Sequence, residues 1–235
     1  MMSYLRVANL ISQKPHLVWQ EIKLGREQHG FICGMTGGGK SKLAEYLVND
    51  PDKPYSVVYD PKHSRTVSEW PNQTRIENWS ELISSDANRI VYSPPIPELK
   101  DKQRQLDFFQ WIFEQQHVRV YVDECTSLLG NTDPNFWFKL CLTQGRERGV
   151  SVVTTTQRPS WIPLITMSEA TKFYIFKLNM PEDMERIRKI TGITEDEQMR
   201  LGEHEFWYYD VTKGRSDKPL KLDLNHSGYQ SLSEA

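Results

Sequence analysis

The sequence predicts an α/β fold, a mainly parallel sheet flanked by helices, and three observations carry that expectation. Short apolar runs suited to strands alternate with helical patterns along most of the 235 residues. Residues Gly34-Met35-Thr36-Gly37-Gly38-Gly39-Lys40-Ser41 complete the pattern G-x-x-x-x-G-K-[ST] between a strand-like run and a helical one, the context a phosphate-binding loop needs. Farther along, the apolar strand Val118-Arg119-Val120-Tyr121-Val122 ends in two adjacent carboxylates, Asp123 and Glu124.

Taken in order, the first strand spans 29–34, and its end, Phe31-Ile32-Cys33, runs into the glycine loop. Lys42-Leu43-Ala44-Glu45-Tyr46-Leu47-Val48 then has the apolar spacing of a helix. Further strands are expected at 55–60, 89–92, 118–122, 150–156, 172–178 and 205–210. Ser93-Pro94-Pro95-Ile96-Pro97 reads as a surface loop. A helix over 102–116 places Leu106, Phe109 and Phe113 on one face. Another over 134–144 has Asp133 as N-cap and Pro134 at its first position, with Phe136, Trp137, Leu140 and Cys141 as its apolar stripe. Helix 181–191 turns Met184, Ile187 and Ile190 inward. A short helix from 195 opens on the capping-box pair Thr194 and Glu197 and stops at Gly202. No repeat or composition shift marks an internal boundary. The expectation is one domain over 1–224, with 1–26 an N-terminal extension and the polar, aperiodic 225–235 a disordered tail.

Composition sets outer limits. Hydrophobic residues make up 38% of the chain and aromatics 11%, enough for a sizeable core. No apolar stretch approaches the roughly 20 residues that cross a bilayer, and the N-terminus lacks the apolar core of a signal peptide. Cys33, Cys125 and Cys141 form no metal spacing and read as reduced core residues of a cytoplasmic protein. A protein that coats nucleic acid is usually basic, whereas the net charge here is −2. Any contacts with DNA must therefore be local, or gathered by several subunits around a pore.

The motifs point to nucleotide hydrolysis. Gly34, Gly37, Gly38 and Gly39 let backbone N–H groups turn inward around a polyphosphate. Thr36 in the loop, and Ser41 and Lys42 at the helix start, belong to the same cradle, where the helix N-terminus adds a partial positive charge. Lys40 can reach the β- and γ-phosphates, and the Ser41 hydroxyl is placed for Mg²⁺. Asp123 can hold the Mg²⁺ shell, and Glu124 can polarise a water for in-line attack as general base. A glycine turn or an acidic strand end would be unremarkable alone; together in this order they read as a site. No Asn-Lys-x-Asp guanine signature is present, which favours ATP. Gln157, closing the strand 150–156, is expected beside Glu124, able to bond the attacking water or the γ-phosphate. Arg146 and Arg148 sit in a helix-to-strand loop, where arginines are usually solvated. Both are expected next to the catalytic edge, where one could stabilise charge in trans. Lys62, His63 and Arg65 form a small basic cluster whose default reading is a solvated loop, with DNA phosphates the alternative. The histidines show no ligand spacing, and the tryptophans read as core or subunit contacts.

The combination of the glycine loop, Tyr121-Val122-Asp123-Glu124, Gly145-Arg146-x-x-Gly149-Val150 and Thr156-Gln157-Arg158-Pro159 resembles the FtsK–HerA family of DNA-pumping ATPases. Asp60-Pro61-Lys62 is similar to the family's Asp-Pro-x segment. Thr171 to Leu178, followed by Pro181-Glu182-Asp183, resembles its fifth-strand region, with Lys177 where the family often has arginine. The resemblance covers about residues 27–210. It implies a RecA-like P-loop core of the additional-strand, catalytic-glutamate type, a homo-oligomeric and often hexameric ring, and ATP-driven movement of double-stranded DNA. By match to the motif, Arg146 takes the trans-acting arginine-finger role and Gln157 the polar sensor role; Arg148 leaves the choice of finger open. The short chain, without a membrane span or added DNA-reading domain, is most similar to genome-packaging ATPases of tailless icosahedral viruses. Such a protein would work in the host cytoplasm, at a capsid vertex or with a portal protein. The rival expectations are a secretion, morphogenesis or conjugation ATPase of similar core, and a nucleotide switch or small-molecule kinase.

Overall fold

The computed structural model describes residues 22–50, 55–125 and 135–222. The expected tail 225–235, the first 21 residues of the expected extension, and Asp133 and Pro134 lie outside the described residues.

All seven expected strands form: β1 (Gly30–Cys33), β2 (Ser56–Tyr59), β4 (Arg89–Tyr92), β5 (Arg119–Val122), β6 (Ser151–Thr156), β7 (Lys172–Phe176) and β8 (Glu205–Asp210). Three short strands join them, β3 (Thr74–Ile76), β9 (Gly214–Arg215) and β10 (Leu220–Lys221). Along the sheet the order is β10-β8-β7-β1-β6-β5-β2-β4-β3, with β9 on β8. From β7 to β3 every neighbouring pair is parallel. Strands β8, β9 and β10 are antiparallel additions at one edge. β6 lies between the loop-bearing β1 and the carboxylate-bearing β5, as the additional-strand type requires.

Helices cover both faces, so the central strands have no solvent side and carry unbroken apolar or β-branched runs. Alternate residues point to opposite layers. Phe31 and Cys33 join one core with α5 (Lys102–Gln115), α6 (Phe136–Thr143) and α8 (Pro181–Thr191). Ile32 joins the other with Leu43, Ala44, Leu47 and Val48 of α1 (Lys40–Val48). The remaining helices are short: α2 (Arg65–Ser68), α3 (Trp79–Ser84), α4 (Ile96–Lys100), α7 (Leu164–Ser168) and α9 (Glu195–Met199).

Several local expectations shift. The Pro-rich loop contains a turn of helix, α4, because Pro97 falls in a first turn, where no backbone donor is missed. Helix α6 begins later than expected, with the Asn135 side chain capping the Phe138 amide. Of the expected stripe, Cys141 is buried and Trp137 and Leu140 pack against the core beside Phe138 and Leu142, while Phe136 is exposed. In α5 the buried face is Phe108, Phe109, Ile112 and Phe113, and Leu106 is only partly covered. The Thr194–Glu197 capping box forms, but α9 ends at Met199, short of Gly202. No helix among the described residues is long and apolar enough to cross a membrane.

Candidate nucleotide site

Parallel strands deliver their carboxyl ends to one edge of the sheet, where open α/β folds bind ligands. The glycine loop follows β1, Asp60 follows β2, Asp123 and Glu124 follow β5, Gln157 follows β6, and Lys177 follows β7. Register places Cys33 opposite Thr156 and Tyr59 opposite Val122, so these ends are level.

The loop needs its glycines. Gly34, Gly37 and Gly39 have φ of 146°, 79° and 107°, which side-chain-bearing residues rarely adopt. At Gly34 a Cβ would also lie 2.5 Å from the Phe176 Cβ. Backbone bonds from Gly34 to Thr156 and from Met35 to Lys177 tie the loop to both neighbouring strand ends. Gly39 precedes α1 without a side-chain cap, which leaves the helix N-terminus open to an anion. Lys40 lies over the loop and donates to the Gly34 and Met35 carbonyls at 2.8 and 3.0 Å. Burial pulls its pKa down, opposed by the nearby Glu124. A cation held on neutral carbonyls in a half-closed site is ready for phosphate oxygens. The Lys42 side chain pairs with Glu45 instead, so its place in the cradle rests on its backbone.

The carboxylates differ in their surroundings. Asp123 Oδ1 accepts from the Tyr121 hydroxyl at 2.8 Å and the Thr155 hydroxyl at 3.0 Å. Glu124 adopts φ of 48°, an uncommon left-handed conformation that turns its side chain toward the loop after β6. Its Oε1 accepts from the Gln157 amide N–H at 3.2 Å and the Thr156 hydroxyl at 3.4 Å. Its Oε2 accepts from Gln157 Nε2 at 3.2 Å and from Lys62 Nζ at 3.3 Å. Gln157 Oε1 in turn accepts from the Thr36 hydroxyl at 2.9 Å. A continuous chain of bonds thus links Thr36, Gln157, Glu124 and Lys62. Gln157 beside Glu124 is as expected, whereas Lys62 reaches the site from what read as a solvated basic loop. Its position just past a strand end, in the Asp60-Pro61-Lys62 segment, could have marked it.

The segment after Gln157 is braced. Asp183, almost fully buried, accepts from Arg158 Nε at 2.7 Å and from the Ser160 amide at 2.8 Å. Arg186 donates to the Ser160 and Ile162 carbonyls at 3.1 and 2.8 Å. On the other side of the loop a cavity of about 270 Å³ is lined by residues that include Gly38, Phe176, Leu201 and His204.

Arg146 and Arg148 are not at this edge. They lie in a 3₁₀ turn, Gly145–Arg148, that precedes β6, so the six-residue strand carries the chain away from them, over roughly 20 Å, before it reaches Gln157. Parallel strands put what precedes them at the opposite edge. There Arg146 donates to the Glu169 carbonyl at 3.0 Å, and Arg148 stacks over the Phe113 ring at 4.4 Å.

No protein-family model matches the chain. It is 29% identical over 195 residues to the DNA packaging ATPase P9 of Enterobacteria phage PRD1, covering 78% of this chain and 82% of that protein. In fold it is similar to the genome packaging NTPase B204 of Sulfolobus turreted icosahedral virus 2 in complex with ATP-gammaS. That match has a TM-score of 0.68 at 19% identity and covers 86% of this chain and 100% of the other. B204 of Sulfolobus Turreted Icosahedral Virus, described as a DNA-packaging ATPase, matches at a TM-score of 0.65 and 17% identity, over 84% of this chain and 98% of the other. The resemblance drawn from the motifs is borne out by both sequence and fold.

Proposed function

We propose that this chain is an ATPase that drives double-stranded DNA into a viral capsid, working as a homo-oligomeric ring. The observation that carries the chemistry is the bonded chain Thr36–Gln157–Glu124, which joins the phosphate loop to a carboxylate at the level edge of a parallel sheet. The substrate, DNA, rests on the packaging ATPases to which sequence and fold are similar. Loop amides and Lys40 bind the phosphates of ATP. Glu124 takes the proton of the attacking water, and Gln157 holds that carboxylate in place. The likeness to packaging ATPases favours hydrolysis over the kinase alternative.

Mg²⁺ fits the donors present. Ser41 offers a hydroxyl from the first turn of α1, and Asp123 keeps Oδ2 free of hydrogen bonds among the described residues while Oδ1 is pinned. Held by these donors, the ion would supply charge neutralisation on the phosphates of ATP.

The test is ATP turnover with and without double-stranded DNA, alongside mass by light scattering. Turnover should rise with DNA of any sequence, the effect should fade steeply with salt, and the mass should be that of a multimer. Turnover indifferent to DNA in an assembled multimer would overturn the translocase reading. Stimulation by single strands alone would favour the secretion and morphogenesis alternative.

A further inference from the structure

We propose that Lys62 holds Glu124 idle in the nucleotide-free site and moves to the γ-phosphate when ATP binds. The inference rests on the ATPase reading and adds a residue to it.

Lys62 stands on a braced turn just beyond β2. Asp60 accepts from the Ser64 amide through both carboxylate oxygens at 3.0 and 2.8 Å, and its own amide donates to the Tyr92 carbonyl at 2.9 Å. Pro61 fixes its own φ. His63 takes a φ of 50°, and its ring bonds the Pro94 carbonyl at 3.0 Å. The backbone of Lys62 is therefore held firmly while its side chain, 44% exposed, is not. Among the described residues the ammonium has one partner, Glu124 Oε2 at 3.3 Å.

That contact is not what places Glu124. Gln157 holds both carboxylate oxygens, and the Thr156 hydroxyl holds one. What Lys62 adds is a positive charge on the oxygen that would accept the water's proton, and a carboxylate paired with an ammonium is a weaker base. The Lys40 ammonium, lowered in pKa chiefly by burial and raised by Glu124, is lowered a little further by Lys62. A half-exposed, singly bonded ion pair of this kind is weak. A γ-phosphate brings more negative charge than one carboxylate and several acceptor oxygens, so it wins the ammonium. The exchange leaves Glu124 oriented by Gln157 and relieved of the ammonium, which is the form that takes a proton. The base would thus be released by ATP itself and not by ADP, which lacks the competing phosphate.

The test uses Lys62→Met, which keeps the apolar stem, and Lys62→Arg, with affinities for ADP and for a non-hydrolysable ATP analogue measured by calorimetry. Lys62→Met should raise the analogue's Kd about tenfold, leave that of ADP unchanged, and lower kcat. Lys62→Arg should recover part of both losses. Equal weakening of both nucleotides would reduce Lys62 to a general charge at the site and overturn the proposal. Unchanged nucleotide affinities with weaker DNA binding would overturn it in favour of a DNA contact. Melting temperatures near the parent's establish that each variant folds. A parent protein that binds no nucleotide would instead sink the ATPase reading itself.

Discussion

Replacing Glu124 by Gln removes one charge and almost no volume, and the surrounding bonds determine how the pocket responds. Oε1 accepts from the Gln157 amide N–H and the Thr156 hydroxyl, and the new amide oxygen can accept both. The new NH₂ group would face Gln157 Nε2 and Lys62, both donors. Gln157 can relieve its half of the conflict by turning over its own amide, because Thr36, now opposite the turned Nε2, has a hydroxyl that can accept as well as donate. Lys62 turns away into solvent. The pocket therefore keeps its shape, and affinity for ATP should change by less than about tenfold, or about 1.4 kcal/mol. The rate should not survive. A positioned general base contributes roughly 10²–10⁴ in rate, about 2.7–5.4 kcal/mol of barrier, and an amide cannot replace it. Phosphate release at saturating ATP gives the rate, and calorimetry with a non-hydrolysable analogue gives the affinity. Turnover within tenfold of the parent, with intact binding, would refute the assignment of Glu124 as base.

The same geometry sets further expectations. Lys40→Ala leaves the loop without its cation and should abolish turnover and most nucleotide binding, read by the same two measurements; retained tight binding would deny Lys40 its phosphate role. If Arg146 is a finger acting on a neighbouring subunit, Arg146→Ala should nearly silence hydrolysis while sparing ATP binding. Mixing it with Glu124→Gln subunits should then restore activity, and failure in assemblies shown to be mixed would turn attention to Arg148. His29, buried before β1, accepts from the Val152 amide at 2.9 Å and contacts the Leu142 carbonyl at 3.0 Å, an arrangement suited to the neutral ring. Burial, helped by Arg146, holds its pKa down at about 4 against an ordinary 6.5. Stability from this group is complete above pH 6.5 and declines as pH falls toward 4, where the unfolded chain binds a proton that the folded one refuses. The loss is up to about 3 kcal/mol, and urea midpoints should show a flatter pH slope in His29→Asn; an equal slope would exclude His29 as the source.

The strands were legible because each is a short buried run, bounded by breakers, in a sheet covered on both faces. The glycine loop was legible because phosphate binding by backbone amides demands a rigid spacing. The short strands β3, β9 and β10 were not, since two or three residues hold no periodicity. Arg119 shows another limit. It opens β5 fully buried, donating to the Leu47 carbonyl at 2.6 Å, the Gly25 carbonyl at 2.9 Å and the Leu24 carbonyl at 3.1 Å. These carbonyls, with the Asp50 carboxylate at 3.4 Å and the Ser151 hydroxyl at 3.3 Å, surround the guanidinium, and no local pattern in the sequence announces them. The same holds for Lys62 and Asp183, whose partners lie 62 and 25 residues away. Motifs report what one segment does alone, whereas these residues bond to groups far away in the chain, from a strand start, a loop and a helix.

The misplacement of Arg146 and Arg148 has a simple origin with a consequence for assembly. Closeness in sequence to β6 suggested closeness to Gln157, but in a parallel sheet the residue before a strand and the residue after it occupy opposite edges. Neither arginine can serve the phosphates bound by its own chain without crossing the sheet. Arg148 is also held by Phe113 of α5, whereas the side chain of Arg146 bonds to an exposed carbonyl. An arginine that adds to hydrolysis from this position has to add to someone else's. Under the proposed ring, the amino edge of one subunit would face the carboxyl edge of the next. Each site would then hold its own base, Glu124, and borrow its cation. Hydrolysis in such an arrangement is silent in the monomer and depends on protein concentration through assembly, which separates a borrowed arginine from one that merely stabilises its own turn.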